Sequence, residues 1–420
     1  MKTSFCVGRV TSLVLAICAA LAATVLTQPG AQAQGKEKGK TSGVRYVESS
    51  DASGTSMAVV VGKMPLAHTA QVMPLDVQGR VIGASSGALQ VEKTLDNLSA
   101  ALAEAQSGSD RLVKVNVYVT KPSMVREVEK VFARRFSGRA KPAVSYVETK
   151  LPNPDALVAM DGVATTTLDI GTMSVARRAS AQLPGSQSAS HVAVLPVGVK
   201  IYVSGQAEKG DMKEATRKTM ESLLQTLQHL SVNRSQIVQL KAFLQPISAV
   251  PEVEREIAKL FADQPVPPLV FVEWISTTPI EIELIASGGD QGSQANEPID
   301  YLTPPGMKAS PVYSKVTRIN FGNTIYLSGL YGNTSQAAEP QVKEIFASLG
   351  FLLEQAGSDL RHLVKATYYV SDDESSRKLN DMRPSYYDPK RPPAASKAMV
   401  AGVASEGKTV TLDMLAVCNR

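Results

Sequence analysis

Apolar residues along this chain follow two periods, and the pair of periods occurs three times. Leu95, Leu98 and Leu102 stand at helical spacing, and Val113, Val115 and Val117 then alternate as in a strand. The pattern returns as Met220, Leu223 and Leu227 followed by Val238, Leu240 and Ala242. It returns again as Phe346, Leu349 and Leu353 followed by Val364, Ala366 and Tyr368. Helix and strand share one offset, 125 residues and then 126. A common offset across two kinds of element means three copies of one domain on a single polypeptide.

The second copy shows the order of elements best. Residues 199–204 alternate toward Gly205, and residues 214–230 carry apolar side chains at helical spacing. Residues 237–244 alternate again, and residues 251–261 form a second helix that starts at a proline, where the missing N–H costs little. Residues 268–274 and 280–285 close the unit as a hairpin. The order predicts an α+β fold, with a mixed sheet and two helices on one of its faces.

Composition adds the boundaries. Lys2 and Arg9 precede an apolar stretch at residues 13–26, and residues 31–33 read Ala-Gln-Ala. This is the pattern of a cleaved export signal over residues 1–33, too short for the ~20 residues a membrane span needs. Residues 34–46 read as a disordered lead-in. The repeats are placed at 47–170, 174–287 and 305–417, with a flexible linker at 288–304. Loss of Lys2 and Arg9 lowers the net charge from +5 to +3, which leaves no basic footprint for nucleic acid. Only Cys418 of the three cysteines would remain, so an intrachain disulfide is excluded and stability rests on core burial. The expected location is periplasmic or extracellular, with no membrane attachment after cleavage.

Three motifs in the third copy carry a resemblance. Residues 322–329 read Gly-Asn-Thr-Ile-Tyr-Leu-Ser-Gly, residues 363–372 read Leu-Val-Lys-Ala-Thr-Tyr-Tyr-Val-Ser-Asp, and residues 392–396 read Pro-Pro-Ala-Ala-Ser. The copy resembles the Rid (YjgF) family of reactive-intermediate imine deaminases. The second copy repeats the pattern at residues 201–206, and the first is more divergent, with Thr69-Ala70 at the place of the family's Ser-Gly turn. The resemblance implies a chorismate-mutase-like domain that assembles as a trimer, sheets inward and ligand clefts between subunits. Three linked copies then imply an intramolecular pseudo-trimer, a monomeric chain acting as a trimer equivalent whose closure is independent of concentration.

The resemblance also implies site residues. The family's carboxylate-binding arginine is replaced by Val144, Leu269 and Ala395. Its planar two-pronged contact has no substitute in those side chains. The water-handling acid on the last strand is matched by Asp161, Glu283 and Asp413, as candidate general bases. The Ser-Gly turn is matched by Ser204 and Gly205 and by Ser328 and Gly329. A second-helix asparagine is matched by Asn380, with Glu129 and Glu254 in the other copies. Arg391 and Lys397 are spare cations near the third turn. His68 is the one histidine of four placed to face a cleft.

No metal or cofactor is expected, because the four histidines lack ligand spacing and no phosphate loop is present. Three readings stay open. The leading one is a protein that binds a small polar metabolite in its clefts without ordinary 2-imino-acid deamination, and so is not an enzyme. The second is an imine or enamine hydrolase with an altered substrate. The third is a structural or partner-binding protein with closed clefts.

Overall fold

The computed structural model describes residues 43–138, 140–172, 174–185, 189–290, 295–333 and 337–418, so the stretch read as an export signal lies outside the described residues. The first copy contributes β1 Val44–Ser50, β2 Thr55–Val61, β3 Leu66–Thr69, α1 Gly87–Ala103, β4 Leu112–Val119, α2 Ser123–Arg135, β5 Ala143–Glu148 and β6 Val158–Thr165. The second contributes β7 Ala176–Arg178, β8 Val192–Leu195, β9 Val199–Gln206, α3 Met212–His229, β10 Ile237–Leu244, α4 Val250–Leu260, β11 Leu269–Glu273 and β12 Ile280–Gly289. The third contributes β13 Ile299–Leu302, β14 Val316–Ile319, β15 Thr324–Leu327, α5 Ala338–Ala356, β16 Leu363–Val370, α6 Asp373–Met382, β17 Ala394–Met399 and β18 Val410–Val417.

Local chemistry sets the helix ends. Ser86, Asp211 and Asp372 precede α1, α3 and α6 and accept from backbone N–H groups of the first turn. Gly357 ends α5 with φ 83°, a left-handed angle that glycine takes at no steric cost. The helical residues that repeat in sequence (Leu95, Leu98, Leu102 and their equivalents) are all buried against the sheet.

Each copy pairs its strands alike. Val115 lies opposite Val144 in parallel β4 and β5, and Asn116 opposite Asp161 in antiparallel β4 and β6. Ala366 opposite Ala395 and Thr367 opposite Asp413 are the third copy's equivalents.

The first strands are exchanged between copies. Four residues separate β14 from β15, yet β14 pairs with β9 of the second copy, Arg318 opposite Ile201. In the same way β8 pairs with β3, Ala67 opposite Val194. The ring closes where β2 pairs with β15, Val60 opposite Ile325. Packing follows the exchange: Val47, Ala58 and Val60 lie in the third copy's helix-side core, Val192 and Val194 in the first copy's, and Val316 in the second copy's. Elements also extend into the segments read as linkers, since β1 starts at Val44, β12 runs to Gly289 and β13 occupies part of 288–304. Composition describes a segment by itself, and here a neighbouring copy supplies the edge that orders it.

The strands form two sheets, one of twelve strands that joins the first and third copies and one of six built on the second. Three cores therefore lie under the helices, one per copy, and the inner faces of the three copies meet on a common axis. One inner layer joins Leu66, Tyr202, Ile285, Tyr326 and Leu415. At the far end Tyr118, Phe243, Trp274 and Tyr369 pack together. This is the arrangement of an intramolecular pseudo-trimer.

Candidate functional site

Between those inner layers lies a belt of charge. Three buried lysines, Lys114, Lys241 and Lys365, meet three buried carboxylates, Asp161, Glu283 and Asp413. Lys114 reaches Asp413 at 2.9 Å and spends its other protons on Ser145 Oγ at 2.7 Å and the Leu327 carbonyl at 2.6 Å. Lys365 reaches Glu283 at 2.8 Å and donates to Thr367 Oγ1 at 2.7 Å. Both pairs cross from one copy to the next. The third pair departs from the symmetry. Gln239 stands where Lys114 and Lys365 stand, and the second copy's lysine is Lys241, two residues on, with its ammonium 5.9 Å from the centre of the Tyr118 ring. Asp161 accepts instead from Asn116 Nδ2 at 3.0 Å and Tyr118 Oη at 2.6 Å.

The electrostatics follow from burial and pairing. Burial alone would raise the Asp413 carboxyl, but the ammoniums of Lys114, Lys241 and Lys365 hold it at about 2. Asp161 is raised, because burial outweighs Lys241 and its two hydrogen bonds. Burial opposes the charge on Lys241, and Tyr369, Asp161, Asp413 and Glu283 together raise it. The belt encloses a cavity of about 40 Å³, room for little more than water. The three acids matched to a cleft role thus stand on the axis and not in the clefts. Their strand alternates, and the closed ring turns its polar face inward.

Three seams join the copies. At the seam of copies 2 and 3, Ser204 Oγ donates to the Ser314 carbonyl at 2.6 Å and accepts from Ala395 N at 2.7 Å. Gly205 N donates to Ser396 Oγ at 3.2 Å. At the seam of copies 3 and 1, Ser328 Oγ donates to the Ser56 carbonyl at 2.6 Å and accepts from Val144 N at 2.8 Å. Gly329 N donates to the Val144 carbonyl at 2.8 Å. These four turn residues, together with Val144 and Ala395, are brought together in pairs that pin the seams.

The seam of copies 1 and 2 is built differently. His68 lies opposite Val163 as Tyr202 lies opposite Ile285, so Ala70-Gln71, one residue later than Thr69-Ala70, is the true counterpart of Ser204-Gly205. Alanine has no hydroxyl to pin the seam. Gln71 instead donates from its N to the Leu269 carbonyl at 2.9 Å and from Nε2 to the Phe271 carbonyl at 3.0 Å, and Gln239 Nε2 donates to the Thr69 carbonyl at 2.7 Å. Here the seam opens into a cavity of about 320 Å³, within the range of small-molecule sites. Val72, Leu183, Leu269 and Phe271 supply apolar wall, and Glu254 is the only Asp, Glu, Lys or Arg among the described lining residues. His191 also lines it, with Nδ1 accepting from Ser180 N at 2.9 Å and Nε2 3.1 Å from the Pro184 carbonyl, the pattern of a neutral ring.

Comparison with known families matches one model, described as Endoribonuclease L-PSP, at residues 45–166, 184–287 and 306–418. The chain belongs to this family. It carries three tandem domains of the Rid/YjgF type. A YjgF-family protein from Neisseria meningitidis is similar at 24% identity over 29% of this chain and 96% of its own, with a TM-score of 0.23. A Rid-family protein of unknown function from Yersinia pestis is similar at 21% over 29% and 98%, with a TM-score of 0.27. RidA from an Antarctic Psychrobacter is similar at 23% over 24% and 84%, with a TM-score of 0.22. No curated protein matches the chain.

The remaining residues of this L-PSP-family chain cluster at the seam of copies 2 and 3. Asn380 Oδ1 accepts from Arg383 Nη2 at 2.7 Å and Lys397 Nζ at 3.2 Å, and Lys397 also reaches Ser376 Oγ at 2.8 Å. Arg391 pairs instead with Glu297 at 3.3 Å. The buried Arg383, which lies 4.8 Å from the centre of the Tyr368 ring, was not singled out from sequence. Neither was Glu281, two residues before Glu283. Its carboxyl lies against Gly205, where a Cβ would collide with it, and burial raises it to about 7 against the Ser396 hydrogen bond. Glu-x-Glu on one strand face was the available signal.

Proposed function

We propose that this chain binds a small amphipathic molecule bearing an amine, in the cavity between copies 1 and 2, and does not carry out ordinary 2-imino-acid hydrolysis. The supporting observation is the lining itself. Leu269 occupies the place of the carboxylate-binding arginine, and the one charged side chain among the described lining residues is the carboxylate of Glu254. A 2-imino acid would bring its own carboxylate toward a wall with no guanidinium, whereas an ammonium would meet a counter-charge. The apolar walls narrow the expectation of a polar metabolite to one with a hydrocarbon body. Phenethylamine and hexylamine at millimolar concentration are expected to raise the melting temperature, and the matching carboxylates are not. Glu254→Gln is expected to weaken amine binding about tenfold, or ~1.4 kcal/mol, by calorimetry. Equal shifts from amines and carboxylates would count against this reading.

One observation favours hydrolysis as a second reading. The Glu281 carboxyl near neutrality can take and return a proton, and Lys397, Arg383 and Asn380 stand in the neighbouring copy at the same seam. The decay of 2-iminopropanoate generated in situ separates the two. No acceleration over buffer accords with the first, and acceleration abolished by Glu281→Gln with the second.

Export belongs to the same proposal and rests on residues 1–33 alone. Terminal sequencing of the chain from the periplasmic or culture fraction is expected to begin at Gln34. An intact Met1 there would refute cleavage.

A further inference from the structure

The barrel has a second opening, away from the seams. Lys63-Met64, Val197-Gly198 and Asn320 to Asn323 are the equivalent loops of the three copies, leading into β3, β9 and β15. They ring a cavity of about 490 Å³ at the end opposite the Tyr118, Phe243 and Tyr369 layer. Lys200 lines this cavity although its side chain is more than nine-tenths buried. Leu66 and Thr324 hold the equivalent positions, so the amine is peculiar to the second copy.

Lys200 has no ion pair or hydrogen bond of its Nζ among the described residues, and burial is the sole cause acting on its amine. Its strand partners are Ser287 on β12 and Ile319 on β14. Deeper on the axis lies His68, fully buried with neither ring nitrogen hydrogen-bonded, and held neutral at about 3 by burial and by Lys200. Lys63 and Asp290 stand on the cavity wall, and the Asp290 carboxylate accepts from Thr172 Oγ1 at 2.7 Å. A cation buried without a counter-charge gains from losing its proton, and what remains is a primary amine facing an open cavity.

We propose that Lys200 is a carbonyl-capturing amine, which condenses with a small aldehyde or ketone entering this end of the barrel. The Nζ lone pair adds to the carbonyl carbon, and the C=O pair moves to oxygen, which takes a proton. The carbinolamine then expels water as the C=N bond forms, and hydrolysis reverses each step without any oxidant or reductant. Burial brings the amine down to about 8, so at pH 7.5 roughly a quarter is unprotonated, against roughly one in a thousand for a solvated lysine.

The mature chain would be treated with limiting propanal and sodium cyanoborohydride at pH 7.5, which reduces the imine to a stable propyl amine, and its lysines read by peptide mass spectrometry. Labelling of Lys200 is expected at least tenfold above the median lysine, with a pH midpoint near 8. Lys200→Met should remove that label and no other. Should that variant not fold, Lys200→Arg keeps the charge and bulk while removing the primary amine. Lys200 labelling no faster than the exposed lysines, or with a midpoint above 10, overturns the proposal.

Discussion

Asp413→Asn is expected to cost the folded chain about 3–5 kcal/mol, read as a loss of urea stability at pH 7. The axial belt sets three buried lysines against three buried carboxylates. Removing one carboxylate leaves the Lys114 ammonium buried with two neutral acceptors and no directly paired carboxylate. The matched pair of changes, Lys114→Met with Asp413→Leu, is expected to recover most of the loss, because an apolar pair needs no compensation. A single-variant cost below about 1 kcal/mol would mean that the belt behaves as a solvated surface pair. The pH dependence has a definite sign. Asp413 titrates at 3.8 in the unfolded chain and about 2 in the folded one, so its contribution is complete above pH 3.8 and is lost as pH falls toward 2. The Asn variant should lack that part of the acid limb.

Deletion of residues 44–61 is expected to do more damage to the third copy than to the first. Those residues supply Val47, Ala58 and Val60 to the core under α5, and each buried valine is worth about 1.5–3 kcal/mol. They also cover β15, whose N–H and C=O groups would become an open edge. The truncated chain should lose hydrogen-exchange protection first in β15 and β18, and should self-associate. A synthetic peptide of residues 44–61 added in trans should restore both. Loss of protection confined to β3 and β6 would contradict the exchanged pairing.

The repeat, the α+β class and the order of elements were legible because helix and strand periods survive divergence: Leu98, Leu223 and Leu349 still point inward. The belt was not legible. Lys114 and Lys365 sit at the polar positions of an alternating strand, which in a sheet with one wet face would be solvent. Only the closing of three copies on one axis turns that face into an interior. The slip at Thr69-Ala70 has a related cause. The first copy lacks both serine and glycine at its turn, so only the pairing of His68 with Val163 shows which residue stands where. The strand exchange lies further still from sequence, because a short loop such as that at residues 320–323 is compatible with a local hairpin.

The exchange also brings the two ends of the folded body near each other. Val44, Val61, Thr324 and Val417 are successive neighbours across four strands. Three strand spacings of about 4.8 Å separate the first from the last, roughly 14 Å. The folded body is thus a nearly closed circle opened at one of three comparable joints. A peptide of a few residues would bridge the gap, and new ends could be cut between the second and third copies. Such a permuted chain would begin with β13 and end with β12, and the order of copies around the axis would be unchanged.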